Sequence, residues 1–406
     1  PKNENDEIYI LGNPPYLGYS RQDVQQKTDL DFVFNNINGY RSLDYISCWF
    51  YLGGKYIRGC NSKVAFVSTN SICQGEQVSL FWPLIINQDL EIGFAHQSFK
   101  WTNNAKGNAG VSVVIIGLIN KSNNRKIIYN NGLAKYCENI SPYLTDSGNY
   151  FISKRSKPLS KIQEIGYGSS ALDGGNLILS NEEKESICSN YPNAESYIFK
   201  LMGSQELIKG VERWAIWIKD NEFEAARQIE PFRKRFEEVA KFRLTSKRPS
   251  TIEAANTSYK FGEPRFIKGE VLLIPKVSSE RRDYLPLGYF TDIVVMDKAF
   301  PIYNAEPYLF GVISSLMHTC WIKAVGGKLE TRMSYSSSIC YNTFPFPEIS
   351  QKQKEQINLH VFEVLEEREK NSGKTLAQLY DPDKMPKGLK EAHHQLDLAI
   401  ERCYRL

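Results

Sequence analysis

Four consecutive residues near the start of the chain, Asn13-Pro14-Pro15-Tyr16, combine groups that could do chemistry. Proline locks its own φ and drives the residue before it into extended or polyproline space, so Asn13 and Pro14 are both fixed before any ligand arrives. Proline has no N–H, which leaves the Pro14 carbonyl facing outward beside the Asn13 amide oxygen. Two acceptors then converge on one point, and the Tyr16 ring offers a flat face next to them. A planar amine with a delocalised lone pair, such as the exocyclic nitrogen of adenine, is a poor nucleophile. Acceptors on both of its N–H bonds favour a pyramidal nitrogen, with the lone pair free for in-line attack on an electrophilic methyl group. Stacking an extruded base on the ring contributes about 1–3 kcal/mol, comparable to the cost of unstacking it from a duplex. Taken alone, the same four residues also suit a rigid turn or a proline-rich ligand.

Context decides between these readings. The strand-like run at 7–11 leads straight into the motif, and strand and helix signals alternate behind it. Residues 43–57 have helical spacing, 63–68 and 90–96 are short β-rich runs, and 111–119 is apolar on both faces. A strand buried on both sides implies helices covering a central sheet, and ligand sites form at the ends of such strands. The run begins at Pro1 without a methionine or signal peptide, so the natural protein is expected to extend upstream. Between 137 and 180 the periodicity fades into Gly, Ser and Asn, which marks a boundary. Beyond it, 222–242 reads as one helix with a basic face, and 271–274 and 293–296 as strands of a mixed α+β unit. Residues 355–370 and 387–404 close the chain as a helical pair, with Leu389, Ala392, Leu396, Ala399, Ile400 and Cys403 on one stripe.

A chain of 406 residues is long enough for two or three domains, each with its own core. No apolar run approaches the ~20 residues of a spanning helix, so no membrane association is expected. The eight cysteines are scattered, with no Cys-x-x-Cys pair and no zinc-like spacing, and they read as reduced thiols of a cytoplasmic protein with no metal site. Net charge is +4, but residues 227–282 hold 14 Lys/Arg against 7 Glu, so this segment carries the whole basic excess. Such an excess suits either a solvated face or contact with nucleic acid.

Beyond the first motif, Lys63-Val-Ala-Phe-Val-Ser-Thr-Asn, Phe99-Lys-Trp-Thr and Val111-Ser-Val-Val-Ile-Ile-Gly follow in an order that resembles amino-methylating, S-adenosylmethionine-dependent DNA methyltransferases. Downstream, Ser278-Ser-Glu-Arg-Arg, Gly326-Gly-Lys-Leu-Glu-Thr-Arg, Tyr341-Asn-Thr-Phe-Pro-Phe-Pro and Leu379-Tyr-Asp-Pro-Asp-Lys-Met-Pro resemble the MmeI-like group of single-chain restriction-modification enzymes. These stretches span nearly the whole chain. The resemblance implies an α/β fold, part of a class I (Rossmann-like) methyltransferase sheet over 1–165. An α+β target-recognition domain over 166–350 and a C-terminal helical segment over 351–406 would follow. It implies site-specific methylation of adenine N6 in double-stranded DNA. Asn13, Pro14 and Pro15 would shape the amine site, and Tyr16 would stack on the base. Phe99 or Trp101 would cover the opposite face, although core packing suits both rings as well. Arg281, Arg282, Lys328 and Arg332 would belong to DNA recognition, with surface ion pairs as their ordinary alternative.

One departure from that group matters. No Gly-x-Gly-x-x-Gly loop follows a strand in this sequence, so the S-adenosylmethionine site is expected to be incomplete and the segment by itself inactive. Glu182-Glu183-Lys184 lacks the acidic partner that a nuclease would need. Two other readings remain open: a DNA-binding specificity module with no activity of its own, and an RNA or protein-amide methyltransferase. The long extension after the α/β unit favours DNA, and no protein partner is inferred.

Overall fold

In the computed structural model, residues 6–35, 37–101 and 111–405 are described; Thr102 of the Phe99-Lys-Trp-Thr stretch lies outside them. The chain folds into two compact units, one comprising Pro1–Ser156 with Trp321–Thr343 and the other Lys157–Cys320 with Phe344–Leu406.

The first unit is built on a six-stranded mixed sheet. Its strands are β1 (Ile8–Gly12), β2 (Ser62–Thr69), β3 (Leu90–Trp101), β4 (Val111–Asn120), β5 (Lys126–Asn130) and β6 (Leu133–Cys137). Their order across the sheet is β1-β2-β4-β3-β5-β6. β1 runs parallel to β2, and β4 runs antiparallel between β2 and β3. The doubly apolar β4 is therefore interior, with Val113, Val114, Ile116 and Leu118 at 1% exposure or less. Three helices pack into the same core: α1 (Val24–Phe34), α2 (Ser47–Ile57) and α3 (Gly75–Ile86). Asp23 and Gln26 close a capping box at the start of α1, satisfying backbone donors that the first turn leaves free. Leu30, Phe50, Phe81 and Trp82 lie in one cluster with Val64 and Ile116, and the Trp82 indole nitrogen donates to the Ile72 carbonyl at 2.8 Å. On β1, Ile10 packs against this core while Tyr9 and Leu11 are exposed.

In the second unit, Ile198–Met202 pairs with Val294–Val295 and with Arg213–Ile216, which in turn pairs with Ile178–Leu179. Another sheet centres on Glu270–Pro275, flanked antiparallel by Gly288–Thr291 and Ala299–Tyr303. The basic segment is not one helix. A short helix, Phe223–Ala226, is followed by a break and then by Glu230–Leu244, whose first turn holds Pro231. Proline is accommodated at a helix start and cannot continue one that is already running. The long C-terminal helices Gln351–Glu369 and Lys387–Arg402 pack on Pro307–Ser314. Gly311 permits the close approach, since a Cβ there would stand 2.8 Å from Ile357 and 3.0 Å from Val361. Among the described residues no single helix is long and apolar enough to cross a membrane.

Candidate functional site

The chain leaves the sheet at the carboxyl end of β1, where Gly12 stands opposite Phe66 of β2. Pro14 is buried, Asn13 and Pro15 are exposed, and Tyr16 is half-buried against the core. Neither the Asn13 side-chain amide nor the Pro14 carbonyl has a hydrogen-bond partner among the described residues. The two acceptors are thus uncommitted and lie at a strand end. The far side of the turn is pinned. The Leu17 carbonyl accepts from the Tyr45 N–H at 2.9 Å and from Gln22 Nε2 at 3.2 Å, and Gln22 also donates to Leu43 at 3.0 Å. Beside it the buried Asp44 carboxylate accepts from the Ser71 hydroxyl. Burial pushes the Asp44 carboxyl up, against the opposing pull of Ser71 and of the Tyr19 N–H. Gln22, Asp44 and Ser71 carry no motif, and sequence reasoning missed them; the packing alone brings them under the turn.

Because β1 parallels β2 and β4 reverses between β2 and β3, β3 points the same way as β1. Its carboxyl end, carrying Phe99 and Trp101, therefore lies at the same edge of the sheet as Asn13–Tyr16. Three strand steps separate β1 from β3, about 14 Å at the usual spacing. Two residues apart on a strand, Phe99 and Trp101 share a face, with ring centroids 6.3 Å apart, and Trp101 is 36% exposed. His96 precedes them, stacked on Tyr129 at 4.4 Å and 13°; burial lowers its pKa, which favours the neutral ring.

The candidate DNA-contacting cations differ sharply in setting. In the second unit, Arg281 is exposed and paired with Asp383, whereas Arg282 is buried and donates to the Ser278 hydroxyl at 3.1 Å. Burial works against the charged form of Arg282, so of the four it is the one least placed to meet a phosphate. In the first unit, Arg332 is exposed and pairs with Glu330 at 3.0 Å, while Lys328 is exposed with no acidic partner among the described residues. Much of the basic excess between 227 and 282 is likewise consumed locally. Arg227, Lys234, Arg235, Lys241, Lys260 and Arg265 all form ion pairs. Arg243 is fully buried and donates to backbone carbonyls. Several stretches that carry the resemblance also prove structural. Tyr380 lies buried between Arg368 and His393, its hydroxyl 2.8 Å from His393 Nε2, and Asn342 donates to the Arg155 carbonyl at 2.9 Å. All eight cysteines are free, and no cluster of metal-ligating side chains occurs among the described residues.

A sheet bearing an Asn-Pro-Pro-Tyr turn at its carboxyl edge, followed by an α+β unit and terminal helices, is the architecture of a methyltransferase domain with a recognition domain attached. Models of MmeI match all of the chain but 131–145: the DNA-methyltransferase domain over 1–130, the target recognition domain over 146–348 and the C-terminal domain over 349–406. The chain belongs to the MmeI family. DNA methyltransferase A of Bacillus subtilis (strain 168) is 41% identical over 409 residues, covering 100% of this chain and 46% of that protein. The type IIL restriction-modification enzyme MmeI, solved in complex with DNA, superposes with a TM-score of 0.94 at 40% identity, over 98% of this chain and 54% of its own. The chain spans about half the length of the relatives it matches.

Proposed function

We propose that the protein methylates adenine at N6 within a specific site in double-stranded DNA, as part of a restriction-modification activity. The observation that carries this reading is the pair of uncommitted acceptors, Asn13 and the Pro14 carbonyl, held by two prolines at the end of β1. They take the two N–H bonds of the amine and leave its lone pair free for in-line attack on a methyl group. Such charge-developing contacts act best when fixed beforehand, and the Leu17 anchor together with the prolines supplies that fixity. Tyr16 stacks on the extruded base, and Phe99 or Trp101 closes over it from the end of β3. In this reading 1–165 is the catalytic part, 166–350 reads the DNA sequence, and 351–406 is the helical segment. Family membership and the likeness to a DNA-bound relative support duplex DNA as the partner.

S-adenosylmethionine is the methyl donor that this chemistry implies. Among the described residues no glycine-rich turn joins a strand to a helix, the element that would cradle its nucleoside and methionine parts. The residues present fit the methyl acceptor and not the donor, and no step is derived through the donor. That mismatch favours a second reading for these residues taken alone, a DNA-binding specificity module. Calorimetry with S-adenosylmethionine separates the two: micromolar binding by these residues alone would show that they form a donor site.

The reading is tested by Asn13→Ala in the full-length protein, with N6-methyladenine in a target duplex measured by mass spectrometry. Losing one preorganised acceptor costs on the order of 10²–10³ in rate. DNA affinity is expected to stay within about two-fold, because the base adds little to a phosphate-dominated interface. Unchanged methylation would overturn the assigned role.

A further inference from the structure

A cavity of about 330 Å³ lies wholly within the first unit, at the carboxyl ends of β2 and β3. Asn70 stands where the chain leaves β2. Gln97 and Ser98 fall at an irregularity of β3, where the register shifts between His96 and Phe99. Bulges of this kind re-aim side chains near functional sites. Both residues are held: Gln97 Nε2 donates to the Leu144 carbonyl at 2.8 Å, and Asn70 Nδ2 to the Ser98 hydroxyl at 3.3 Å. The Ser98 hydroxyl accepts from Asn70 and still has its own O–H to offer a further acceptor.

The wall of the cavity is completed by residues that return from far along the chain. Lys323 lies on the helix Leu316–Val325, and Lys328 on the strand Gly327–Leu329. The two are joined by a corner at Gly326, where a Cβ would stand 2.5 Å from the Ile322 carbonyl oxygen and 3.1 Å from the Cys340 sulfur. Only glycine allows the chain to turn this tightly, and the turn carries Lys328 back over Cys73. The Lys328 ammonium opposes the burial that pushes the Cys73 thiol up, which marks its nearness. Lys323 and Lys328 both line the cavity; among the described residues neither has an acidic partner, and no Asp or Glu lines it. Two positive charges and neutral donors around an acid-free hollow match one chemical class, a phosphate group. A solvated pair of surface lysines would need neither the held amides nor the glycine corner.

We infer that this cavity seats a backbone phosphate of bound duplex DNA, with Lys323 and Lys328 as its cations and the Ser98 hydroxyl as a neutral donor. The inference rests on the reading that the protein binds DNA, and it adds a phosphate anchor beside the candidate base site.

The test compares the chain with its Lys323→Gln/Lys328→Gln variant, both substitutions being at exposed positions. Affinity for a duplex is measured across a salt series. The variant is expected to bind about ten-fold more weakly at low salt, equally for target and non-target sequences. The slope of log K against log salt should flatten by about 0.9 for the one phosphate released. Neutral methylphosphonate linkages placed singly along the duplex then locate that phosphate. One position should weaken the unmodified chain about ten-fold and leave the variant unaffected. If the chain binds duplex and the variant keeps the same affinity and slope, the inference fails while the DNA reading stands. If the chain binds no duplex, both fail together. Should inorganic phosphate bind the chain and not the variant in that case, the cavity is a free-anion site, and the DNA-phosphate inference is overturned.

Discussion

Replacing Arg243 by Met is the sharpest test of how the second unit is held together. Arg243 is 0% exposed and spends all five of its N–H bonds on backbone carbonyls. Nε donates to Leu172 at 2.8 Å, Nη1 to Ala254 at 2.7 Å and Thr257 at 3.1 Å, and Nη2 to Ala171 at 3.0 Å and Lys260 at 2.6 Å. Burial lowers its pKa, yet the hydrogen bonds keep the guanidinium where it is. Three of these carbonyls keep another donor when the arginine goes: Ala171 from the Gly262 N–H, Thr257 from the Lys260 N–H, and Ala254 from the Thr257 hydroxyl. The carbonyls of Leu172 and Lys260 have no other donor among the described residues. Two orphaned acceptors at about 1–3 kcal/mol each come to roughly 2–6 kcal/mol, and the guanidinium desolvation no longer incurred offsets part of this, so we expect a loss of about 1–4 kcal/mol. Urea unfolding followed by tryptophan fluorescence is the assay, because the Trp217 ring lies 5.2 Å from Phe261, next to Lys260. With a urea slope of about 2 kcal/mol per molar, the midpoint should fall by roughly 0.5–2 M. Arg243→Lys keeps the charge with three donors and should fall between. A loss under about 1 kcal/mol for Met, or equal losses for Lys and Met, would refute the accounting.

Two further perturbations probe the same unit. Gly311→Ala should cost about 1–3 kcal/mol by overpacking, since the new methyl would stand within 3.2 Å of Ile357, Val361 and Leu396; a variant with an unchanged thermal midpoint would show that the helices yield. Burial lowers the His318 pKa to about 3 and takes His393 well below its ordinary value. Above the unfolded value near 6.5 neither affects stability, whereas below it the unfolded chain takes up protons that the folded one refuses. Unfolding free energy should therefore fall as pH drops from about 6 to 4, by up to about 1.4 kcal/mol per pH unit for each histidine. His318→Gln should remove about half of that histidine-borne slope, and an unchanged slope would contradict the assignment.

Much of this was legible in the sequence because it obeys local rules. Proline geometry stiffens the Asn13–Tyr16 turn whatever surrounds it. The two-sided apolar run at 111–119 demanded an interior strand, and β4 lies between β2 and β3. The helical stripe of 387–404 marked the residues that bury in Lys387–Arg402, Leu389, Leu396 and Ile400 among them. Charge counting, by contrast, could not say which cations are spent. Lys234 and Lys241 meet acids within one helical turn, while Arg235 and Arg281 meet them across the fold, and Arg243 and Arg282 are buried.

The residue types and their local spacing determined, by themselves, that a rigid pair of acceptors and a ring follow a strand. They also determined that a sheet, a mixed unit and terminal helices occur in that order. Only the tertiary structure decided that Trp321–Thr343 rejoins the first unit and that β3 ends at the same sheet edge as β1. It also decided that Lys323 and Lys328 face a hollow beside Asn70 and Ser98. The division is physical. Backbone sterics and side-chain period act over a few residues, whereas strand register and long-range return depend on which surfaces bury each other, and neighbours in sequence carry no record of that choice.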